Sequence, residues 1–251
     1  MKSHTVPDGA MFDHVTLRVG DLDASARFYD TVLPTLGVER THTADWLIEW
    51  DVFSLSPANA EKPMTRGLHI GFTAPSREHV HAFWQAGIDA GYPDDGAPGL
   101  RPESGPDYYG GFLLDPDGNS AEAVHHDLVG EREVIDHLWI RVADVAAAKR
   151  FYATIAPHTG AELASESPER AQFAGKGSFS VVHGAPTEHL HMAFPAPDRA
   201  AVEAFHRSAT GAGYADNGAP GERPEYHPGY YGAFVCDPDG NNIELVFHDR
   251  G

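Results

Sequence analysis

The chain has 251 residues, of which 41% are hydrophobic and 22% charged, so it can bury one or two cores and is too apolar for a disordered or collagen-like class. Against 18 basic residues stand 37 acidic ones, and a formal net charge of -19 repels phosphate backbones, so nucleic acid is not expected as a partner. No apolar run approaches the roughly 18 residues that span a bilayer, and Met1-Lys-Ser-His-Thr-Val-Pro lacks a signal-peptide core; a cytoplasmic protein without membrane contact is expected. The single cysteine, Cys236, has no internal disulfide partner and reads as a packed thiol. Sixteen histidines are unusual, and their positions decide what they mean.

After a loose lead-in of about ten residues, Phe12-Asp-His14-Val-Thr-Leu-Arg18-Val alternates as a strand does. Asp13, Val15, Leu17 and Val19 share one face, while Phe12, His14, Thr16 and Arg18 share the other. Asp21 suits the N-cap of a helix from Asp23 to Leu33 that Gly37 ends. Short strands follow around Trp46 to Trp50 and Val52 to Ser56, then a polar, proline-containing connection from Ala58 to Arg66. A second unit starts at Leu68-His69-Ile70-Gly-Phe72, where His69 faces away from the aliphatic side. Pro75-Ser76 opens a helix from Arg77 to Ala90, and Gly91 ends it. Pro93 to Asp107 reads as a long loop rich in proline and glycine.

Tyr108-Tyr109-Gly-Gly-Phe112-Leu-Leu-Asp115-Pro-Asp-Gly-Asn119-Ser-Ala-Glu122 then forms a hairpin around Asp-Pro-Asp-Gly-Asn, in which proline fixes φ and glycine supplies φ > 0. Tyr230-Tyr231-Gly-Ala-Phe234-Val-Cys-Asp237-Pro-Asp-Gly-Asn241-Asn-Ile-Glu244 is the same text again. In both, the turn sets the glutamate opposite a phenylalanine, so a carboxylate sits mid-strand on a shared face. By parity Tyr108 and His126 join the Glu122 face, and Tyr230 and His248 the Glu244 face. The repeat extends further: Arg18-Val-Gly-Asp21 matches Arg141-Val-Ala-Asp144, Phe28-Tyr29 matches Phe151-Tyr152, Leu68-His69 matches Leu190-His191, and Arg101-Pro-Glu matches Arg223-Pro-Glu. The chain is thus a tandem duplication with a boundary near Gly130 and a linker from Asp127 to Glu133, and its domains are expected at residues 11–128 and 134–249. Each half reads as two units of α+β type, with helices on one face of a mostly antiparallel sheet. His14, His69 and Glu122 lie on the uncovered face of the first half; His137, His191 and Glu244 take the same places in the second.

Two imidazoles and a carboxylate make the donor set that holds a divalent first-row metal with positions left open. Phe12-Asp-His14, Ile135-Asp-His137, the two Leu-His strand starts and the two Asp-Pro-Asp-Gly-Asn-x-x-Glu turns resemble the vicinal oxygen chelate superfamily, which includes glyoxalase I, extradiol dioxygenases and bleomycin resistance proteins. The resemblance covers Phe12 to Asp249. It implies four βαβββ modules in two tandem glyoxalase-like domains, with cup-shaped mixed sheets. It implies one metal on His14, His69 and Glu122 and another on His137, His191 and Glu244. A second pairing stays open, in which the first module of one half meets the second module of the other and His14 shares a site with His191 and Glu244. Where glyoxalase I has a further glutamate, this chain has Ser54 and Ser180. The extradiol pattern is met only in part, by His227.

Tyr108, His126, Tyr230 and His248 are the candidate catalytic residues, since a histidine near neutral pKa and a tyrosine hydroxyl can contact substrate or move a proton. Arg18 and Arg141 suit an anion. Phe28-Tyr29 and Phe151-Tyr152 read as core, and His79, His81, His158 and His206 as surface; His189 shares a face with His191. The expected function is a metal-dependent enzyme, dioxygenase-like or isomerase- or lyase-like, using Fe2+, Zn2+, Mn2+ or Ni2+ on a small molecule that chelates through two neighbouring oxygens. The competing reading is a metal-independent protein that sequesters a drug or secondary metabolite. With four modules in one chain, monomer and homodimer are both open.

Overall fold

The computed structural model describes residues 10–126 and 133–249. The boundary expected near Gly130, the linker expected at Asp127 to Glu133 except Glu133 itself, most of the N-terminal lead-in, and residues 127 and 128 of the first expected domain lie outside the described residues. Four βαβββ modules follow one another. The first comprises β1 (His14–Val19), α1 (Leu22–Val32), β2 (His42–Ala44), β3 (Leu47–Trp50) and β4 (Phe53–Pro57). The second has β5 (His69–Thr73), α2 (Arg77–Asp89), β6 (Asp94–Leu100), β7 (Tyr109–Leu114) and β8 (Ser120–His125). The third has β9 (Ile135–Val142), α3 (Val145–Thr159), β10 (Glu162–Ser167), β11 (Arg170–Ala174) and β12 (Ser178–His183). The fourth has β13 (His191–Pro195), α4 (Arg199–Gly211), β14 (Asp216–Glu222), β15 (Tyr230–Cys236) and β16 (Asn242–His248).

Local signals account for most boundaries. Asp21 and Asp144 accept the backbone N–H of Ala24 and Ala147 at 2.9 and 3.0 Å, satisfying donors that the first turns of α1 and α3 leave free. After α1 a 3-10 turn over Leu33–Leu36 tightens the chain, and Gly37, at φ 80, takes the left-handed conformation that ends it. One expectation fails. The stretch Pro93 to Asp107 contains a strand, β6, and its counterpart is β14. Both are outer strands whose register slips, at Asp94/Gly96 and Gly96/Gly99 and at the matching glycines of β14. Proline and glycine are tolerated there because an outer, bulged strand need not donate on its free side.

The chain divides into two compact units, one from Leu17 to Trp139 and one made of the described residues up to Thr16 together with those from Ile140 onward. The divisions fall inside β1 and β9. In the first unit, β5 lies between β8, with which it is parallel, and the opening half of β9, with which it is antiparallel; β7 and β6 continue outward from β8. Its other strands, β4, β3 and β2, follow in order from the closing half of β1. In the second unit, β13 lies between the parallel β16 and the opening half of β1, with β15 and β14 beyond β16. Strands β12, β11 and β10 complete it.

Aromatic packing fixes α1 on the first unit and α3 on the second. Tyr29, Trp50, Phe53 and Phe72 are fully buried, with Tyr29 and Phe53 centroids 4.6 Å apart. Tyr152, Phe173 and Phe179 repeat the arrangement, Tyr152 and Phe179 being 4.8 Å apart. The Phe-Tyr pairs are therefore core, as expected, but both tyrosines also carry a hydrogen bond. Tyr29 donates to Asp115 and Tyr152 to Asp237, at 3.1 and 3.2 Å, so each helix is tied to a hairpin turn. No helix of the described residues is long and apolar enough to cross a membrane.

Candidate metal centres

The hairpins place the carboxylates. Phe112 is the cross-strand partner of Glu122 and Phe234 that of Glu244, in the register expected from the turns. Each glutamate is essentially fully buried, and its side chain lies over a glycine, Gly110 or Gly232, where a Cβ would overlap it. The histidines come from neighbouring strands. Parallel pairing of β5 with β8 sets Gly71 beside Glu122, while antiparallel pairing with β9 sets Gly71 opposite His137 and His69 opposite Trp139. In the second unit Ala193 faces Glu244 on one side and His14 on the other, and His191 faces Thr16.

Two clusters result: His69, Glu122 and His137, and His14, His191 and Glu244. The six expected ligands all take part, but the grouping of His14 with His69 and Glu122 is not the one formed. The pairing left open in the sequence is the one found, because β1 lies against β13 and β9 against β5. In the first cluster, His69 Nε2 is 3.0 Å from Glu122 Oε2 and 3.2 Å from His137 Nε2, and His137 Nε2 is 3.3 Å from the same carboxylate oxygen. In the second, His14 Nε2 is 2.9 Å from His191 Nε2, and Glu244 Oε2 lies 3.6 and 3.3 Å from the two.

Every histidine of the two clusters turns Nε2 inward and has its Nδ1 engaged. His137 Nδ1 donates to Asp136 at 2.9 Å and His14 Nδ1 to Asp13 at 2.8 Å. His69 Nδ1 lies 3.0 Å from Ser120 Oγ, which donates to Asp95, and His191 Nδ1 lies 2.8 Å from the Asn242 amide. An Nδ1–H given to a carboxylate leaves the Nε2 lone pair directed at the cluster, as metal-binding histidines require. Asp13 and Asp136 were missed as members of the site because alternation assigns them to the other face. Asp136 occupies a register slip of β9, between Ile135 and His137, and Asp13 precedes β1, so strict alternation does not govern either. The signal available was the Asp-His dipeptide at the head of both copies.

The four candidate catalytic residues border these clusters. Tyr108 donates to Glu122 Oε2 at 2.9 Å and Tyr230 to Glu244 Oε1 at 2.7 Å. His126 packs edge-on against Tyr108 and lies 3.4 Å from Asp136; His248 packs edge-on against Tyr230 and donates to Asp13 at 2.9 Å. His227 is 2.9 Å from His248 and stacked on it. The backbone N–H groups of Arg18 and Arg141 meet the hydroxyls of Thr65 and Thr187. His189 occupies a left-handed conformation, φ 57, immediately before Leu190-His191. Ser54 and Ser180 are buried, and the Ser180 hydroxyl accepts from Arg170 at 3.1 Å.

Charge is concentrated where water is scarce. Burial raises the pKa of Glu122, but hydrogen bonds from His137 and His69 outweigh it and hold the carboxyl below its usual range. Burial lowers that of His137, yet Asp136 and Glu122 push it up to about 9. Asp13 and Asp136 stay ionised well below the ordinary carboxylate pKa, their burial overcome by the histidines they hold. Tyr108 and Tyr230 are pushed up by burial and by their glutamates, so both hydroxyls keep their protons.

Arg101 and Arg223 explain another repeated motif. Each donates to the carbonyl of its outer strand, Ala97 or Ala219, at 2.7 Å and lies over the phenylalanine that opposes the glutamate, 5.2 Å over Phe112 and 5.5 Å over Phe234. Those rings in turn flank His69 and His191, with centroids 5.9 and 6.3 Å away.

A family model described as Glyoxalase/Bleomycin resistance protein/Dioxygenase superfamily matches the chain twice, over residues 11–123 and 134–245. Among solved structures, glyoxalase I from Zea mays is similar with a TM-score of 0.68 and 18% identity, over 94% of this chain and 92% of that one. A putative dioxygenase from Bacillus subtilis subsp. subtilis str. 168 is similar with a TM-score of 0.64 and 14% identity, over 96% and 86%. These likenesses are of fold. A comparison with curated protein sequences returned no match.

Proposed function

We propose, for a chain that belongs to the glyoxalase/bleomycin resistance protein/dioxygenase superfamily, that each cluster holds one divalent metal ion. The substrate is a small molecule that chelates through two neighbouring oxygens, and the reaction is dioxygenase-like or isomerase- or lyase-like. The observation that carries this reading is a set of two histidines and one glutamate formed twice, with all four Nε2 atoms turned inward.

The residues fit the group. Donors about 2.1 Å from a shared ion stand roughly 3.0 to 3.4 Å apart, depending on coordination number, which is close to the 3.0 to 3.3 Å and 2.9 to 3.6 Å spacings of the two sets. Glu244 Oε2, the oxygen that faces His14 and His191, is buried without a hydrogen-bond partner among the described residues, a costly arrangement that cation ligation relieves. Imidazole with carboxylate suits Fe2+, Zn2+, Mn2+ or Ni2+, and three ligands leave positions open.

When bound, the ion supplies Lewis-acid stabilisation of negative charge that develops on the two substrate oxygens. Tyr108 and Tyr230 orient the ligand carboxylates and keep a proton beside them. Asp136 with His126, and Asp13 with His248, fix the tautomer of His137 and His14, and so act through the ligands. Among the described residues no further glutamate joins either set; Ser54 and Ser180 stand in the corresponding strands, which supports a three-ligand chemistry over that of glyoxalase I.

Elemental analysis of protein purified without a histidine tag, beside His14→Ala and His137→Ala, tests the reading. Two ions per chain, and one in each variant, are expected. Iron directs the assays to oxygen uptake with catechols, and zinc, nickel or manganese to isomerase and lyase turnover. A protein that stays metal-free after reconstitution and binds its ligand regardless of chelators is a sequestering protein instead.

A further inference from the structure

The two centres share donors but not surroundings, and the differences stand at strand positions that face the ligands directly. Opposite His137 is Gly71, and the imidazole lies in the space a Cβ would take; opposite His14 is Ala193, whose methyl group occupies that space. His137 is accordingly sunk, with 6% of its side chain exposed, whereas His14 stands out with 22%. The paired imidazoles meet at 30° in the first centre and 52° in the second.

A second pair of positions points the same way. The cross-strand partner of His69 is Trp139, whose ring lies 5.2 Å from His69 and 6.1 Å from His137, centroid to centroid. The partner of His191 is Thr16, a side chain with no ring to cover anything. Beyond the second centre stand Tyr226, 41% exposed with its ring 4.9 Å from that of Tyr230, and His227, stacked against His248. The repeat puts Ser104 and Gly105 at those places in the first copy.

We propose that the centres have diverged: His14, His191 and Glu244 take the chelating substrate, while Trp139 and the seating of His137 on Gly71 close the other centre to anything larger than water. Tyr226 and His227 give the open centre an aromatic border, which favours a planar substrate carrying its two oxygens on a ring or conjugated system. The proposal rests on the metal-centre reading, and its test counts metal and ligand separately.

Wild-type protein is loaded with Co2+, the bound metal is counted by equilibrium dialysis, and 4-nitrocatechol, whose absorption shifts on chelation, is titrated in. Two Co2+ and one 4-nitrocatechol per chain are expected. Thr16→Trp should keep two Co2+ and weaken 4-nitrocatechol at least tenfold. Trp139→Ala should keep two Co2+ and raise the probe count to two. Two probe molecules on the wild type, or unchanged binding in Thr16→Trp with both metals present, overturns the divergence. A chain that takes up no Co2+ overturns the metal reading and the proposal with it.

Discussion

Asn119 Oδ1 accepts the backbone N–H of Leu68 at 3.1 Å, fastening the hairpin turn to the residue before His69. Asp115 closes the same turn by accepting the N–H groups of Asp117 and Asn119 at 2.9 and 2.8 Å, and Tyr29 on α1 ties into it through Asp115. Asn241 does the same for Leu190 and His191, at 3.0 Å. A five-residue turn that reads from sequence as a chain reversal thus also sets where a histidine of the first cluster stands.

Asn119→Ala should leave the buried Leu68 N–H unsatisfied and cost roughly 1–3 kcal/mol of stability. Metal affinity should fall at the His69 centre and hold at the His14 centre. Urea denaturation with metal titration checks both. Equal losses at the two centres would mean that the turn acts only through global stability.

Tyr108→Phe removes the hydroxyl that donates to Glu122 while keeping the ring against His126. Loss of such an outer hydrogen bond costs on the order of 10–100-fold in metal affinity. The drop should be confined to the first centre, with Tyr230→Phe giving the mirrored result; isothermal titration with Zn2+ measures it.

Asp136 and Glu122 push the pKa of His137 up to about 9, above the 6.5 of an ordinary imidazole. A pKa raised on folding means its stabilising contribution is complete below about pH 6.5 and is lost as pH rises through 9. Ligation needs the neutral ring, so metal uptake at pH 7 should release the His137 proton, and affinity at this centre should climb with pH until about 9 and then level. Binding enthalpies in buffers of differing ionisation heat give the proton count. In His137→Ala the release from this centre should vanish.

Trp139 stands 5.2 Å from His69, so Co2+ or Ni2+ in the first centre should quench its fluorescence. The quench should persist in His14→Ala and disappear in Trp139→Phe, which tells the two loadings apart by emission alone.

Much of this was legible because it is local. Turn chemistry fixed the register that sets Phe112 opposite Glu122, and alternation put His14 and His69 on the face away from the aliphatic side. What sequence could not carry is which strands become neighbours. His14 and His191 are 177 residues apart, and parity specifies a face but no partner. The outer strands β6 and β14 escaped because proline and glycine at Pro98 and Gly99 read as loop, although an edge accepts them. Asp136 was hidden by a bulge, which reverses the side that alternation assigns. Trp139 was visible as a residue but not as a cover, since its role follows from its pairing with His69.

The most direct test of the account is a metal count on paired variants, since the central claim is which histidines share an ion. His14→Ala with His191→Ala removes two ligands from one centre and should leave one metal ion per chain. His14→Ala with His69→Ala damages both centres and should leave none. The reverse result, one ion retained in the His14/His69 pair and none in the His14/His191 pair, would mean that the ligands group within each copy of the repeat, and it would contradict the assignment made from the structure.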